Sequence, residues 1–344
     1  MSKSIVEERS ELFHYTDAAG LAGIIQSQTL WATHYAYLND SEEIKYFHKT
    51  RLPKLLQGVV GIRLNELIEQ DSSARLLIER EGGKEKRINP FVKEILGRQE
   101  DILWSCRDDK EPLSEPYIIS FCSTKHQSDQ VVEHGLLSQW RGYGRDGSYA
   151  IVFDTACFSR LLTEVGKKWG NSGYLFCGDI VYSSDSDSRF LEEFEEDLDV
   201  IRNFSLDCLR GIEDSKNVKN IFSALMKCSC RYKHWGFKEE NEVRIIAVPH
   251  NMGVCELVGV EDGIVIKKIP RKYYLRSGVL EEWYHILIYL KALHPLQKNL
   301  CQLTVLLLVP PRILKKEQGG FDLSKYLLIS MVLKRLCSLL KYRI

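Results

Sequence analysis

No stretch of this 344-residue chain reaches the eighteen or so apolar residues that a membrane-spanning helix needs. The longest, Leu303 to Val309, is far shorter, so no membrane partner is expected. Ten cysteines are spread along the chain without a CxxC pair, and the polar first residues, up to Ser4, lack a signal-peptide pattern. Reduced thiols and a cytoplasmic location follow as expectations. Cys228, Cys230 and His234 have the ligand types of a zinc site but no second pair beside them, so no metal is assigned. Internal repeats and low-complexity linkers are also lacking, which excludes a solenoid and favours one composite body. Net charge is absent overall, with 47 basic against 47 acidic residues, so the chain is not a uniformly basic binder. The balance hides an asymmetry. Residues 264–344 hold 15 Lys and Arg against 4 Asp and Glu, so they carry +11 and the preceding residues −11. A basic surface for an anionic partner and a basic tail packed on an acidic body both fit that division.

What is present is organised around Leu12 to Glu43. Leu12 to Thr16 has strand composition and carries the polar triplet His14, Tyr15 and Thr16. Asp17 then caps an expected helix from Ala18 to about Ser27, with Leu21, Ile24 and Ile25 on one face, and a second strand follows at Thr29 to Thr33. Asp40 or Ser41 starts another helix toward Arg51, and apolar spacing predicts a helical insertion over about 59–109 with an exposed loop at Glu79 to Arg87. Buried strands are expected at Tyr117 to Thr124, Tyr149 to Asp154, Tyr174 to Ser183 and Glu242 to Val248. Between the first two, Gly142, Gly144 and Gly147 surround Trp140 and Tyr143 in a loop that lets the backbone approach a ligand, or forms an ordinary turn. A second helical insertion covers about 188–233. The fold class is α+β: one domain over 1–270 and a basic, leucine-rich segment over 271–344 to which no fold is assigned.

Chemistry concentrates in Trp235 to Val248. With a strand starting near Glu240, alternation places Glu240, Glu242 and Arg244 on one face and Val243 and Ile245 on the other. Charges of both signs on one face either meet solvent on an edge strand or line a polar cleft, because burying them unpaired is costly. In a cleft, Arg244 would restrain one carboxylate and leave the other to react.

The ordered motifs LFHYT, LWATHYAYLNDSEE, SFCST, LSQWRGYGRDGSYAIVFD and GFKEENEVRII resemble the bacterial domain-of-unknown-function 2971 family, some of whose members are labelled abortive infection proteins. The resemblance spans Leu12 to about Pro249; beyond about Leu275 the chain departs from the family pattern, by divergence or a disturbed reading frame, before closing on KYRI. More distantly, a first strand with His, a later strand near Tyr and a last strand with Glu resembles the ADP-ribosyltransferase superfamily. That resemblance implies a split β-sheet with helical insertions and NAD as substrate, with no metal. It places His14 on the nicotinamide-side ribose with Tyr15 and Thr16 beside it, Glu242 as the catalytic acid, and Glu240 as the upstream carboxylate that orients the acceptor. Arg244, which restrains one of the two carboxylates, is grouped with the NAD-binding residues, while Trp140, Tyr143, Tyr149 and Ser120 remain alternatives for the stacking or serine role.

The reaction asks for such groups: loss of nicotinamide develops oxocarbenium character that a nearby carboxylate stabilises. The function expected is therefore NAD-dependent ADP-ribosyl transfer or NAD hydrolysis by a phage-defence or toxin effector, with a nucleic acid or protein acceptor and an antitoxin or other regulator. Two alternatives stand beside it. One is a metal-dependent nuclease in which Asp129 or Asp40 joins Glu240 and Glu242; the other is a non-enzymatic sensor using the Trp140 to Gly147 loop.

Overall fold

A computed structural model describes residues 11–27, 29–38, 42–104, 115–125, 127–143, 148–155, 162–163, 173–212, 218–249, 271–276, 279–286 and 306–308. Strand β1 (Glu11–Asp17) leads into helix α1 (Ala18–Ser27) and strand β2 (Leu30–His34), as the composition predicts. Helix α2 (Glu43–Gln70) is longer than expected, because the apolar series Ile44, Phe47, Leu52, Leu56, Val60 and Leu64 runs unbroken through it. Helices α3 (Ser72–Arg80) and α4 (Lys84–Trp104) complete the first insertion, separated by Gly82 and Gly83 at φ 98° and 93°. Asp40 and Ser41 lie outside the described residues.

Strand β3 (Tyr117–Ser123) is followed by two short helices, α5 (Asp129–His134) and α6 (Leu137–Tyr143), and then by strand β4 (Ser148–Asp154). Leu137 to Tyr143 is thus helical rather than a loop. Gly142 has nothing within 4 Å of where a Cβ would lie, so its expected close approach is not made; Gly144 and Gly147 lie outside the described residues. The glycine that is required sits earlier. Gly135 takes φ 75°, and a Cβ there would come within 2.8 Å of both the Trp140 Nε1 and the Tyr15 hydroxyl.

Strands β5 (Gly173–Asp179) and β6 (Val181–Tyr182) precede helix α7 (Asp187–Leu209), whose N-cap Ser186 hydroxyl accepts from the Arg189 amide. Helix α8 (Val218–Arg231) runs into strand β7 (Tyr232–Lys233), a 3₁₀ turn (Trp235–Glu240) and strand β8 (Glu242–Pro249). Three strands beyond residue 270 join the same sheet: β9 (Arg271–Arg276) and β10 (Val279–Ile286) form a hairpin beside β2, and β11 (Leu306–Leu308) pairs with β4. The expected helix near the C-terminus lies outside the described residues.

These elements give an α+β protein whose main sheet has nine strands among the described residues. β3 is its branch point. Along one edge it pairs with β8 from Tyr117 to Cys122. Along the other it meets β1 only at Phe13↔Cys122 and Leu12↔Ser123, and β2 only at Thr33↔Ile118 and His34↔Tyr117. The sheet therefore forks between β1 and β2, opposite residues 119–121.

Pairing also fixes the faces, because directly opposed residues in an antiparallel sheet project to the same side. Ile119, Phe121, Ile151, Phe153, Val243 and Ile245 pack with Leu21 and Ile24 of α1. On the other face, Ile118, Ile246 and Val248 pack under the helical layer of α2, α4, α7 and α8. Phe13, Tyr15, Cys122, Trp140, Ala150 and Val152 form a third cluster on that second face.

One polar side chain is buried in the helical layer without compensation. His48 of α2 is 5% exposed and neither ring nitrogen has a hydrogen-bond partner. Burial holds it neutral and depresses its pKa from 6.5 to about 4. The unfolded chain then takes up the proton first, so the stability from a neutral His48 is full above about pH 6.5 and is lost as pH falls toward 4. We expect the stability of wild type relative to His48→Leu, measured by urea unfolding, to fall by about 3 kcal/mol between pH 7 and pH 4. A difference independent of pH would show that His48 is not buried neutral.

Candidate functional site

The second face of the sheet carries five charged side chains in one cluster. Glu242 and Arg244 project from β8, opposite Cys122 and Ser120 of β3. Glu43 comes from the first turn of α2, Lys233 from β7, and Glu240 from the end of the 3₁₀ turn. Strand β8 starts at Glu242 rather than Glu240, because Asn241 adopts a left-handed φ of 44° and breaks the strand there. Glu240 thus joins the cluster from the turn, not by strand alternation.

Arg244 is its centre. The guanidinium donates to both Glu242 carboxylate oxygens, Nε to Oε1 at 2.6 Å and Nη2 to Oε2 at 3.1 Å, as well as to Glu43 Oε1 at 2.5 Å and the Cys230 carbonyl at 2.9 Å. Lys233 reaches all three carboxylates: Glu240 at 2.9 Å, Glu242 at 3.0 Å and Glu43 at 3.2 Å. Glu43, Lys233, Glu242 and Arg244 are each 7% exposed or less, whereas the Glu240 side chain keeps 21%. Three carboxylates against two cations leave one negative charge in excess within this group.

That imbalance divides the two β8-proximal carboxylates. Burial alone would raise the Glu242 pKa, but Arg244, Lys233 and the Ser120 hydroxyl together bring it down to about 2, so it is an anion at neutral pH. Glu240 moves the other way: burial raises its pKa, and the charge on Glu242 adds to the rise against the pull of Lys233. Expected roles change accordingly. Arg244 restrains Glu242, and Glu240 is the carboxylate left with access to solvent.

His14 enters from the fork. Because β1 leaves β3 after Phe13, the Ser120 carbonyl is accepted as a partner by the His14 ring, whose Nδ1–H donates to it at 3.0 Å. Burial lowers the His14 pKa against that bond. Ser120 therefore stands between the two sides of the expected site, its carbonyl on His14 and its place in β3 opposite Arg244.

The sheet separates the remaining candidates. His14 follows Phe13, which shares a face with Cys122 and Glu242, so His14 projects from the opposite face and lies 5.5 Å from Phe121 between ring centroids. Thr16 and Tyr149 oppose each other on that His14 face, away from the charge cluster. Tyr15, Trp140 and Tyr143 are on the Glu242 face, but Tyr15 and Trp140 are core residues. Their rings meet edge to face at 4.9 Å; the Tyr15 hydroxyl accepts from the Leu136 amide at 2.7 Å, and the Trp140 indole donates to the His134 carbonyl at 2.7 Å. This packing corrects the expectations that Trp140 offers a stacking face to a ligand and that Tyr15 stands with His14 at the ribose, and the nine expected residues are divided between the two faces of the sheet.

Glu43 and Lys233 were missed by sequence reasoning. Local pattern marks Glu43 only as a first-turn acid of α2, and nothing near Lys233 marks it at all. The one signal was energetic: two carboxylates and one guanidinium on a buried face require further cations.

The metal alternatives fare as follows. Cys228 and Cys230 lie in the core under the helices, whereas His234 is exposed with its Nδ1 accepting from the Gly236 amide. Asp129 sits in the first turn of α5, outside the charge cluster. Both carboxylate oxygens of Glu43 and of Glu242, and Oε2 of Glu240, are bonded to Lys233 or Arg244. Among the described residues no group of three or more His, Cys, Asp or Glu is arranged to hold a metal ion, and no helix is long and apolar enough to cross a membrane.

Residues 139–245 match the model of a family described as "Protein of unknown function (DUF2971)". This match supports the family resemblance over that segment, which contains Trp140, Tyr143, Tyr149, Glu240, Glu242 and Arg244 but not His14. No curated protein and no solved structure matches the chain.

Removing Arg244 would leave the three carboxylates Glu43, Glu240 and Glu242 to share Lys233. Arg244→Leu should cost roughly 3–5 kcal/mol in urea unfolding, against less than about 1 kcal/mol for Glu240→Gln at the partly exposed end of the cluster. Equal costs would mean that the network does not organise the fold.

Proposed function

We propose that this protein cleaves the nicotinamide–ribose bond of NAD, transferring ADP-ribose to an acceptor or to water. The fork carries the reading: the Ser120 carbonyl bonds His14 of β1, and Ser120 stands opposite Arg244, the guanidinium that holds Glu242, on β8. In this reading an ionised Glu242 faces the oxocarbenium charge that develops as nicotinamide leaves. His14, neutral and donating to Ser120 through Nδ1, has its Nε2 lone pair left to accept a ribose hydroxyl at the fork. Glu240, with its raised pKa and its access to solvent, takes the proton of the attacking nucleophile. Thr16 and Tyr149 are not carried into this site, and Tyr15 and Trp140 support it as packing.

The acceptor is a nucleic acid, a protein or water, and a regulator such as an antitoxin restrains the activity in the cell. A role as a phage-defence or toxin effector rests on the sequence resemblance alone.

A second reading has one observation in its favour. Glu43, Lys233, Glu242 and Arg244 satisfy one another while almost wholly buried, as expected of a structural ion network in a non-enzymatic sensor or binding module. Nicotinamide release separates the two. The purified chain, with NAD and cell extract, should liberate nicotinamide, and Glu242→Gln should lower the rate by about a hundredfold or more while circular dichroism reports a folded protein. Absence of release by wild type, or an undiminished rate in the folded variant, would overturn the proposal.

A further inference from the structure

The 3₁₀ turn that delivers Glu240 also presents Trp235, whose side chain is 60% exposed. An exposed indole can be incidental on a protein surface. This one is held. Its backbone amide donates to the Ser183 hydroxyl at 3.0 Å, and the flanking Gly236 and Phe237 amides donate to His234, at Nδ1 (3.1 Å) and at the carbonyl (3.2 Å). Lys238 bonds Asp185 at 2.7 Å, and Gln127 bonds the Glu239 carbonyl at 3.2 Å. At the end of the turn the Asn241 side chain donates to the Ser123 and Lys125 carbonyls. Gly236 permits the tight curl, since a Cβ there would stand 3.1 Å from the His234 ring.

Behind the indole runs a series of rings. Trp235 lies 5.4 Å from His234, His234 meets Tyr46 edge to face at 5.6 Å, and Tyr46 stacks on the buried Tyr232 at 5.7 Å. The exposed ring is thereby backed by the core through α2 and β7, so little conformational freedom is left to lose when a ligand settles on it. Polar groups hold the turn that carries it, with Ser183 on its amide and Lys238 bonded to Asp185, and exposed large apolar residues such as Ile62, Leu76 and Leu77 lie on α2 and α3 rather than on this turn. One rigid aromatic face in a polar setting suits a single planar ring with polar edges, whereas an apolar peptide would need contiguous apolar area.

We infer that Trp235 is a stacking platform for the base of a nucleotide whose sugar points toward Glu240. The turn rises about 2 Å per residue, so Trp235 and Glu240 are separated by about 10 Å along it, enough for a base at one end and a reacting ribose or acceptor at the other. The inference deepens the proposed NAD reaction and rests on a nucleotide being the ligand, but it assigns a residue that the reaction scheme did not require.

Calorimetric titration of the full chain with adenosine monophosphate, nicotinamide mononucleotide and ribose 5-phosphate tests it. At least one of the two nucleotides should bind wild type. Trp235→Ala should weaken that nucleotide roughly ten- to a hundredfold and leave ribose 5-phosphate unchanged, while Trp235→Phe keeps most of the affinity. Equal nucleotide affinity in Trp235→Ala, loss of ribose 5-phosphate in parallel, or no nucleotide binding by wild type would overturn the inference. Nicotinamide release measured on the same proteins keeps the two ideas apart. Release that depends on Glu242 with an unchanged KM in Trp235→Ala removes the platform alone, whereas Trp235-dependent nucleotide binding without release removes the reaction alone.

Discussion

The fold turns on the bidentate contact between Arg244 and Glu242 and on the charges gathered to complete it. Two opposite charges on adjacent same-face positions of a fully buried strand cannot be left to themselves, because the cost of desolvating each ion is repaid only when every remaining donor and acceptor finds a partner. Glu43 at the start of α2, Lys233 after α8 and the Cys230 carbonyl supply them. The same contacts fix where the first helical insertion begins, where α8 ends and how the turn before β8 is placed. A network that serves only stability would be expected to balance its charges. This one has a carboxylate in excess, and the carboxylate at its solvent-facing end, Glu240, is the one with raised proton affinity.

The fork in the sheet is the second constraint. β3 cannot be flanked along its whole length by β1, because β2 occupies the far end of the same edge, and the gap leaves the Ser120 carbonyl bonded to the His14 ring at 3.0 Å instead of to a strand along that edge. That gap brings a histidine onto the carbonyl of the serine that stands opposite Arg244, although His14 and Glu242 project from opposite faces. Aromatic residues first read as ligand contacts are instead what stiffens this region: Tyr15 and Trp140 lock α5 and α6 onto β1 and β4.

Much of the architecture was legible because its causes are local. Period-two and helical spacing placed β1, α1, β3, β4 and β8 within a few residues, and the acidic helix α7 was evident from Phe190, Phe194, Leu198 and Ile201. The single long helix α2 was read as two segments because charged and apolar stretches alternate along it; only its burial against α7 and α8 shows one continuous apolar stripe. Of the candidate site, Glu240, Glu242 and Arg244 lie in one charge cluster, and Glu240 joins it from a turn rather than from the strand. His14 was tied to them through Ser120 rather than across a common cleft.

The sequence by itself determined residue chemistry and local periodicity: which strands are buried, where the carboxylates cluster, and that charges of both signs would have to be reconciled on one strand. Only the tertiary structure decided which partners reconcile them and which face each candidate occupies. Pairing register is set by contacts between segments more than a hundred residues apart, and a shift of one residue moves a side chain to the other side of the sheet. Thr16 and Tyr149 on one face and Glu242 on the other, and Glu43 brought to Arg244 across 201 positions, are consequences of that register and of no local pattern.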